Sequence, residues 1–375
     1  MEMPNTVFQL DPTAHNARNS EGAFVTLQDG RILYAWSKFT SERSHDNEPS
    51  IIAARISSDE GRTWSHEERI LAEPERGAHN LMSVSLLRLQ SGRICLAYAS
   101  KTHLPTGDVR CVPCVRFSDD EGETWTDEKE VTASSDYHVV NNDRLIQLKD
   151  GTLVIPVALH RRRLASGGEA NGKLQFSYAA LIFFFISRDG GQTWLESDNS
   201  FYRCFPGGGG LQEPGVIELS DGRLWAWARN SWQEGDAGRR QWQSFSEDGG
   251  RLWSEPEPSY FISPCSPLSI KRIPATGDLL AVWNDHSGRF PLPPEPYERR
   301  PLACAISSDD GATWAHHQLL DDAPGHGYHY TAIHFTDDAV LLAYCAGGPR
   351  PEMAWLQRLR IQRIPLTELY AAQSS

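Results

Sequence analysis

SSDEGRTW at 57–64, SDDEGETW at 118–125, SRDGGQTW at 187–194, SEDGGRLW at 246–253 and SSDDGATW at 307–314 are five versions of one turn, returning at steps of about sixty residues. A period of that length marks repeated supersecondary units. Each version keeps an Asp, a Gly two residues on and a Trp three residues after that. These residues suit a tight turn: the Asp carboxylate bonds backbone amides, the Gly takes φ > 0 and the Trp packs under the loop.

A second repeat runs out of phase with the first. GAFVTLQDGRILYAW from Gly22, VSLLRLQSGRICLAY from Val84, DRLIQLKDGTLVIPV from Asp143, PGVIELSDGRLWAW from Pro214, LSIKRIPATGDLLAVW from Leu268 and YTAIHFTDDAVLLAY from Tyr330 each read as strand, tight turn, strand. Asp-Gly between two β-rich runs is a strong hairpin signal, because both central positions want φ > 0. A third strand such as PSIIAARIS (49–57) then leads into the Asp-turn, and a more polar fourth such as SHEERIL (65–71) leaves it. Four antiparallel strands per repeat make the blade of a β-propeller. The expectation is therefore an all-β, six-bladed propeller forming a single domain over 1–375. In its last blade LQRLRIQRIPL (356–366) is the third strand and TVFQL (6–10) the fourth, closing the ring.

Bulk composition narrows the function classes. The formal net charge of −13 argues against a nucleic-acid partner, and no stretch is apolar for long enough to cross a bilayer. MEMPNTVFQLDP lacks the basic and apolar regions of a secretion signal, so a cytoplasmic location is expected. The seven Cys are read as reduced thiols. Cys111 and Cys114 form a C-x-x-C without a second pair or nearby ligating His, so no metal and no cofactor is expected. Oligomeric state is not readable.

Topology sorts the loops. In a four-stranded antiparallel blade, the Asp-Gly hairpins and the Asp-turns share one face of the disc. Loops leading into first strands, and those joining second to third strands, open on the other, where a site built from several blades belongs. That face carries Arg18 and Glu21, 38–46, His79 and Asn80, 141–144, 160–163, Gln212 and Glu213, Arg229 and Asn230, 284–300, and 326–330. Several arginines around one mouth suit an anionic ligand, since a planar guanidinium matches a carboxylate in bidentate fashion. Arg229 stands at the mouth end of LWAWA and Glu213 at the start of an innermost strand, where a carboxylate is either paired with an arginine or catalytic.

On these residues the chain resembles the sialidase superfamily, whose Asp-boxes match the five turns. In LQEPGVIELSDGRLWAWARNS, Glu213 and Arg229 match the glutamate that assists the nucleophile and the second arginine of a carboxylate-binding triad. Arg299 matches the third arginine, with Arg300 one residue out of register; Tyr330 in YTAI matches the catalytic tyrosine and Asp46 the acid/base aspartate. The resemblance places the first arginine directly before the first innermost strand in an Arg-x-Pro context. ARNSEGAFVTL instead sets Arg18 about two residues early without a proline. Arg144, where the resemblance places no arginine, is the other candidate for that charge.

The resemblance implies a retaining exo-glycosidase acting on a terminal sialic acid or related acidic sugar of a glycan. Its neutral tyrosine nucleophile avoids the repulsion that a carboxylate would meet from the sugar's own carboxylate. Two alternatives stand beside it. One is a hydrolase or lyase for another uronate-bearing glycan, using Tyr330 with His79, His160 or His329; the other is a propeller that binds carbohydrate without turnover.

Overall fold

The hairpin that opens each repeat sets the order of everything after it. In the computed structural model, which describes residues 5–164, 174–205 and 208–371, Arg18–Thr26 pairs with Ile32–Phe39, then Ser50–Ser57, then Arg69–Ala72, all antiparallel. The second unit repeats this with Ala78–Arg88, Ile94–His103, Val109–Ser118 and Lys129–Glu130. In the third, Ile146–Gln147, Leu153–His160, Leu181–Ser187 and Leu195–Glu196 keep the order. Two four-stranded sheets follow, Leu211–Glu218 to Glu257–Ile262 and Ser269–Arg272 to Ala315–Asp321. The last unit pairs His329–Phe335, Ala339–Cys345 and Leu359–Pro365, and Thr6–Leu10 adds to it as the fourth strand. Residues 1–4, part of the stretch read for a secretion signal, lie outside the described residues.

The first three units are stitched edge to edge. Single parallel bridges, Ser50 to Asn80 and Cys111 to Tyr137, merge them into one 13-stranded sheet. Six apolar clusters fill the spaces between consecutive units, and one of them brings Phe24, Tyr34 and Trp36 of the first unit against Leu341, Ala343 and Ile361 of the last. Trp36, Trp227 and Trp283 are fully buried there. At about 25 cal/mol per Å² of apolar surface, each contributes roughly 2–3 kcal/mol. Packing between wedges, rather than hydrogen bonding within them, orders the units.

The turns depart from expectation in one respect. Only the glycines of the hairpin turns, Gly30, Gly92, Gly151, Gly222 and Gly277, have positive φ, not the residues before them. Leu27 O accepts from Gly30 N and Leu27 N donates to Arg31 O, which is a three-residue loop: a type I turn ending in a left-handed glycine. The Asp-turns hold as read. Asp59 Oδ1 accepts from Thr63 N at 2.8 Å, and Ser57 Oγ accepts from Gly61 N at 2.8 Å. Gly61 is left-handed, at φ 82°, and lies against the last unit: a Cβ there would meet Leu341 Cδ1 at 2.6 Å and push that side chain aside.

Candidate active site

The register of the innermost strand slips at the same place in four units: between Ser20 and Ala23, Met82 and Ser85, Gln212 and Gly215, and His329 and Ala332. A residue inside each slip is left-handed, Glu21 at φ 55°, Ser83 at 63°, Glu213 at 49° and Tyr330 at 58°. A bulge re-aims its side chain, and a non-glycine residue in this region costs about 1–3 kcal/mol that its surroundings must offset. All four side chains line one cavity of about 210 Å³, on the scale of a single sugar ring. A fifth left-handed residue, Asp143, serves the scaffold instead, pairing with Lys271 Nζ at 2.9 Å and accepting from Ile333 N.

Tyr330 Oη donates to Glu213 Oε1 at 2.9 Å. Arg229 Nη1 lies 2.7 Å from Glu213 Oε2 and donates to Tyr330 Oη at 3.3 Å, while its Nε and Nη2 both reach Gln212 Oε1. The Arg299 guanidinium sits 5.8 Å from the Tyr330 ring centre, and among the described residues no ion pair holds it. Burial and the neighbouring Glu213 charge push the Tyr330 hydroxyl well above the ordinary phenol range, against the two arginines. Tyr330 is thus a neutral hydroxyl whose proton already points at a carboxylate.

A second arginine-centred network stands on the first unit. Arg18, 1% exposed, donates from Nε to Ser20 Oγ at 2.8 Å, from Nη2 to Glu21 Oε1 at 2.6 Å and from Nη1 to Asp46 Oδ1 at 2.5 Å. The other oxygen of Glu21 accepts from Ser83 Oγ at 2.6 Å. Partial desolvation would raise the Asp46 pKa, but the Arg18 and Lys101 charges outweigh it and hold the carboxyl well below the usual aspartate range. Glu21 moves the other way: burial, with the Asp46 and Glu213 charges, raises it against Arg18 and Ser83.

The remaining sequence candidates are divided between the cavity wall and its surroundings. Arg144 does not line the cavity. It is buried, with Nη2 donating to Leu268 O at 2.6 Å across the molecule, and burial pushes its pKa down to about 10. Arg300 is held by Glu298 and Asp322 and is likewise absent from the cavity wall, as are Arg18 and Arg299, which stand behind wall residues: Arg18 bonded to Glu21 and Asp46, Arg299 over the Tyr330 ring. His160 does line it, with Nδ1 2.8 Å from Ser177 O, and burial pushes it down to about 4. His79 stacks on His103, and His329 is buried beside Tyr330.

Lys101 was not anticipated: it is buried, lines the cavity and donates to Asp46 O at 2.7 Å. It lies near the mouth end of the strand Ile94–His103, two residues beyond Ala99, which is the match to Arg229 in that unit, so no parallel in the sequence marked it. Tyr137, Tyr178, Met82, Val139 and Val140 form apolar parts of the wall and were also missed. No motif marks them: Tyr137 and Val139 belong to a short strand before the third hairpin, and Met82 sits in an innermost strand outside the repeated turns.

A family model described as a BNR repeat-like domain matches residues 51–342. A sialidase of Paraclostridium sordellii is 27% identical over 215 residues, 50% of this chain and 48% of that protein, so the match spans about half the relative's length. Among solved structures, an intramolecular trans-sialidase from Ruminococcus gnavus in complex with oseltamivir carboxylate superposes with a TM-score of 0.70 at 15% identity over 98% of each chain. A leech intramolecular trans-sialidase complexed with 2,7-anhydro-Neu5Ac gives 0.70 at 15% identity, covering 98% of this chain and 71% of its own. A protein of unknown function from Dyadobacter fermentans also gives 0.70, at 17% identity over 96% and 100%. At such identities the structural likeness speaks for the fold alone.

Proposed function

The chain belongs to the BNR repeat-like family of the sialidase superfamily, and on that premise we propose that it is a retaining exo-glycosidase releasing a terminal sialic acid, or a closely related acidic sugar, from glycans. The reading takes the six units as the blades of one closed propeller, supported by the apolar cluster between the last unit and the first. The observation that carries the chemistry is the hydrogen bond from Tyr330 Oη to Glu213 Oε1 at the wall of the cavity, with Arg229 in contact with both and the Arg299 guanidinium over the Tyr330 ring.

In this mechanism Tyr330 Oη attacks the anomeric carbon as the bond to the leaving oxygen breaks. The phenol proton passes to Glu213 and a proton from Asp46 goes to the leaving group. A water then displaces Tyr330, giving one proton to Asp46 and leaving its hydroxyl on the anomeric carbon, while Glu213 returns the phenol proton to Tyr330 Oη. Arg229 and Arg299 hold the sugar carboxylate and orient the ring. A neutral nucleophile suits a reaction centre that bears its own carboxylate.

One observation favours a second reading. Arg18 is already occupied by Glu21 and Asp46, leaving two arginines rather than three near Tyr330. A hydrolase for another uronate-bearing glycan would need no third. Aryl glycosides of sialic, deaminated sialic and uronic acids separate the readings. Release from the sialoside first and fastest is expected; turnover of the uronide alone would replace the sialidase reading, and no turnover by folded protein would leave a carbohydrate-binding module.

A further inference from the structure

We propose that Arg18 is a ligand-operated latch on Asp46, held in place by Glu21: a sugar carboxylate entering the cavity takes the Nη1 edge of Arg18 from Asp46, and the freed Asp46 takes up the proton it later gives to the leaving oxygen. The inference rests on the sialidase-type reading above, and it assigns Glu21 as a positioning residue that acts through Arg18.

The two ends of the latch are built differently. Glu21 is 3% exposed, its backbone is fixed in the left-handed bulge, and its second oxygen is held by Ser83 Oγ. Pulling Arg18 off Glu21 would strand a charge in the interior, which is strongly unfavourable. Asp46 lies on a loop with its side chain 57% exposed, so a carboxylate released from Arg18 meets water at once. Exchanging one carboxylate for another at Nη1 also leaves the charge around the guanidinium unchanged. Of the two contacts, the Asp46 contact is the one a ligand can displace.

The exchange resolves a difficulty in the chemistry. A proton donor must carry its proton at the working pH, yet Asp46 as it stands faces the cations Arg18 and Lys101. Glu21 lies across Arg18 from it and His45 is next to it on its own loop. Lys101 bonds the Asp46 carbonyl and does not block the exchange. Removing Arg18 from Asp46 removes the leading charge and the hydrogen bond that keep it ionised. Substrate and acid are thereby coupled, and the acid forms only when an anionic sugar is present.

The test uses the full chain with ¹³C-carboxyl aspartate, the Asp46 resonance being identified by its loss in Asp46→Asn. It is titrated free and saturated with N-acetylneuraminate. The Asp46 midpoint should rise by about two pH units or more on saturation, and the alkaline limb of kcat should lie above that of kcat/KM by a similar amount, since these report bound and free enzyme respectively. In Glu21→Gln, Arg18 keeps only the Asp46 charge, so the shift on binding and the gap between limbs should fall to less than half, with partial recovery in Glu21→Asp.

A wild type that hydrolyses the aryl sialoside while Asp46 titrates identically with and without ligand overturns the latch and leaves the proposed function standing. A wild type that neither hydrolyses the sialoside nor binds N-acetylneuraminate overturns both. A folded Glu21→Gln with an undiminished gap removes Glu21 from the account. If that variant fails to fold, Ser83→Ala, which loosens only the second Glu21 oxygen, should narrow the gap, and an unchanged gap there has the same meaning.

Discussion

The two faces of this molecule put left-handed backbone to opposite uses. On the Asp-turn face it falls on Gly61, Gly122, Gly191, Gly250 and Gly311 and the residue before each, and the turns repeat the same bonds. Ser Oγ takes the Gly N–H in all five, and an Asp oxygen takes the N–H four residues on, even at Leu252 where Thr stands elsewhere. On the cavity face it falls on Glu21, Ser83, Glu213 and Tyr330, four different side chains pointed into one space. Repetition on one side stabilises the wedges. Variation on the other, at matched backbone positions, is where the proposed chemistry is placed.

The sharpest break in that comparison is Tyr330→Phe. It should lower kcat on an activated sialoside by about 10³-fold or more, while the loss of one neutral hydrogen bond costs only about 1 kcal/mol in a denaturant melt. Near-normal kcat would detach the cavity face from the chemistry. Arg229→Ala comes next, with kcat/KM down by about 10²-fold, because it also releases Glu213 and Tyr330 from a shared partner. Arg299→Ala, over the ring alone, should lose roughly tenfold in steady-state kinetics, mostly through KM.

Arg144→Ala tests the division from the interior. Removing one of the two donors to Leu268 O, Trp227 Nε1 being the other, and opening a void should cost about 2–4 kcal/mol in chemical unfolding, with KM within about twofold of wild type. A large KM effect at unchanged stability would return Arg144 to the substrate.

Ser57→Ala should give the smallest effect, about 1–2 kcal/mol of stability and unaltered kinetics. The same face sets an acid limit. Hydrogen bonds from Thr193 and Thr313, first among several, bring Asp189 and Asp309 down to about 2. Their pKa values are depressed in the fold, so the stability they supply is present above the ordinary aspartate value and lost as pH falls through about 2. Thermal melts between those limits should show a falling Tm; a flat profile would contradict the bonded turns.

What could be read from the chain follows the same line. The turns and hairpins were legible because backbone geometry restricts which residues a tight turn accepts, and Glu213, Arg229 and Tyr330 because they sit beside those markers. The type I turn with a left-handed glycine was not, since Asp-Gly alone does not reveal loop length. Arg144 and Arg300 are held away from the cavity wall, which was not legible because loop sequence does not show which partners a guanidinium finds first: Leu268 O for one, Glu298 and Asp322 for the other. Glu21 was visible but went without a role, because its equivalence to Glu213 and Tyr330 appears only once the slipped register is known.

The central claim, that Tyr330 attacks an acidic sugar from one wall of the cavity, is tested most directly by following hydrolysis of an α-sialoside by ¹H NMR from the first turnover. Displacement by Tyr330 and then by water predicts that the α-anomer of the free sugar appears first and mutarotates afterwards. Initial release of the β-anomer, or no release by a chain that still melts cooperatively, would contradict it.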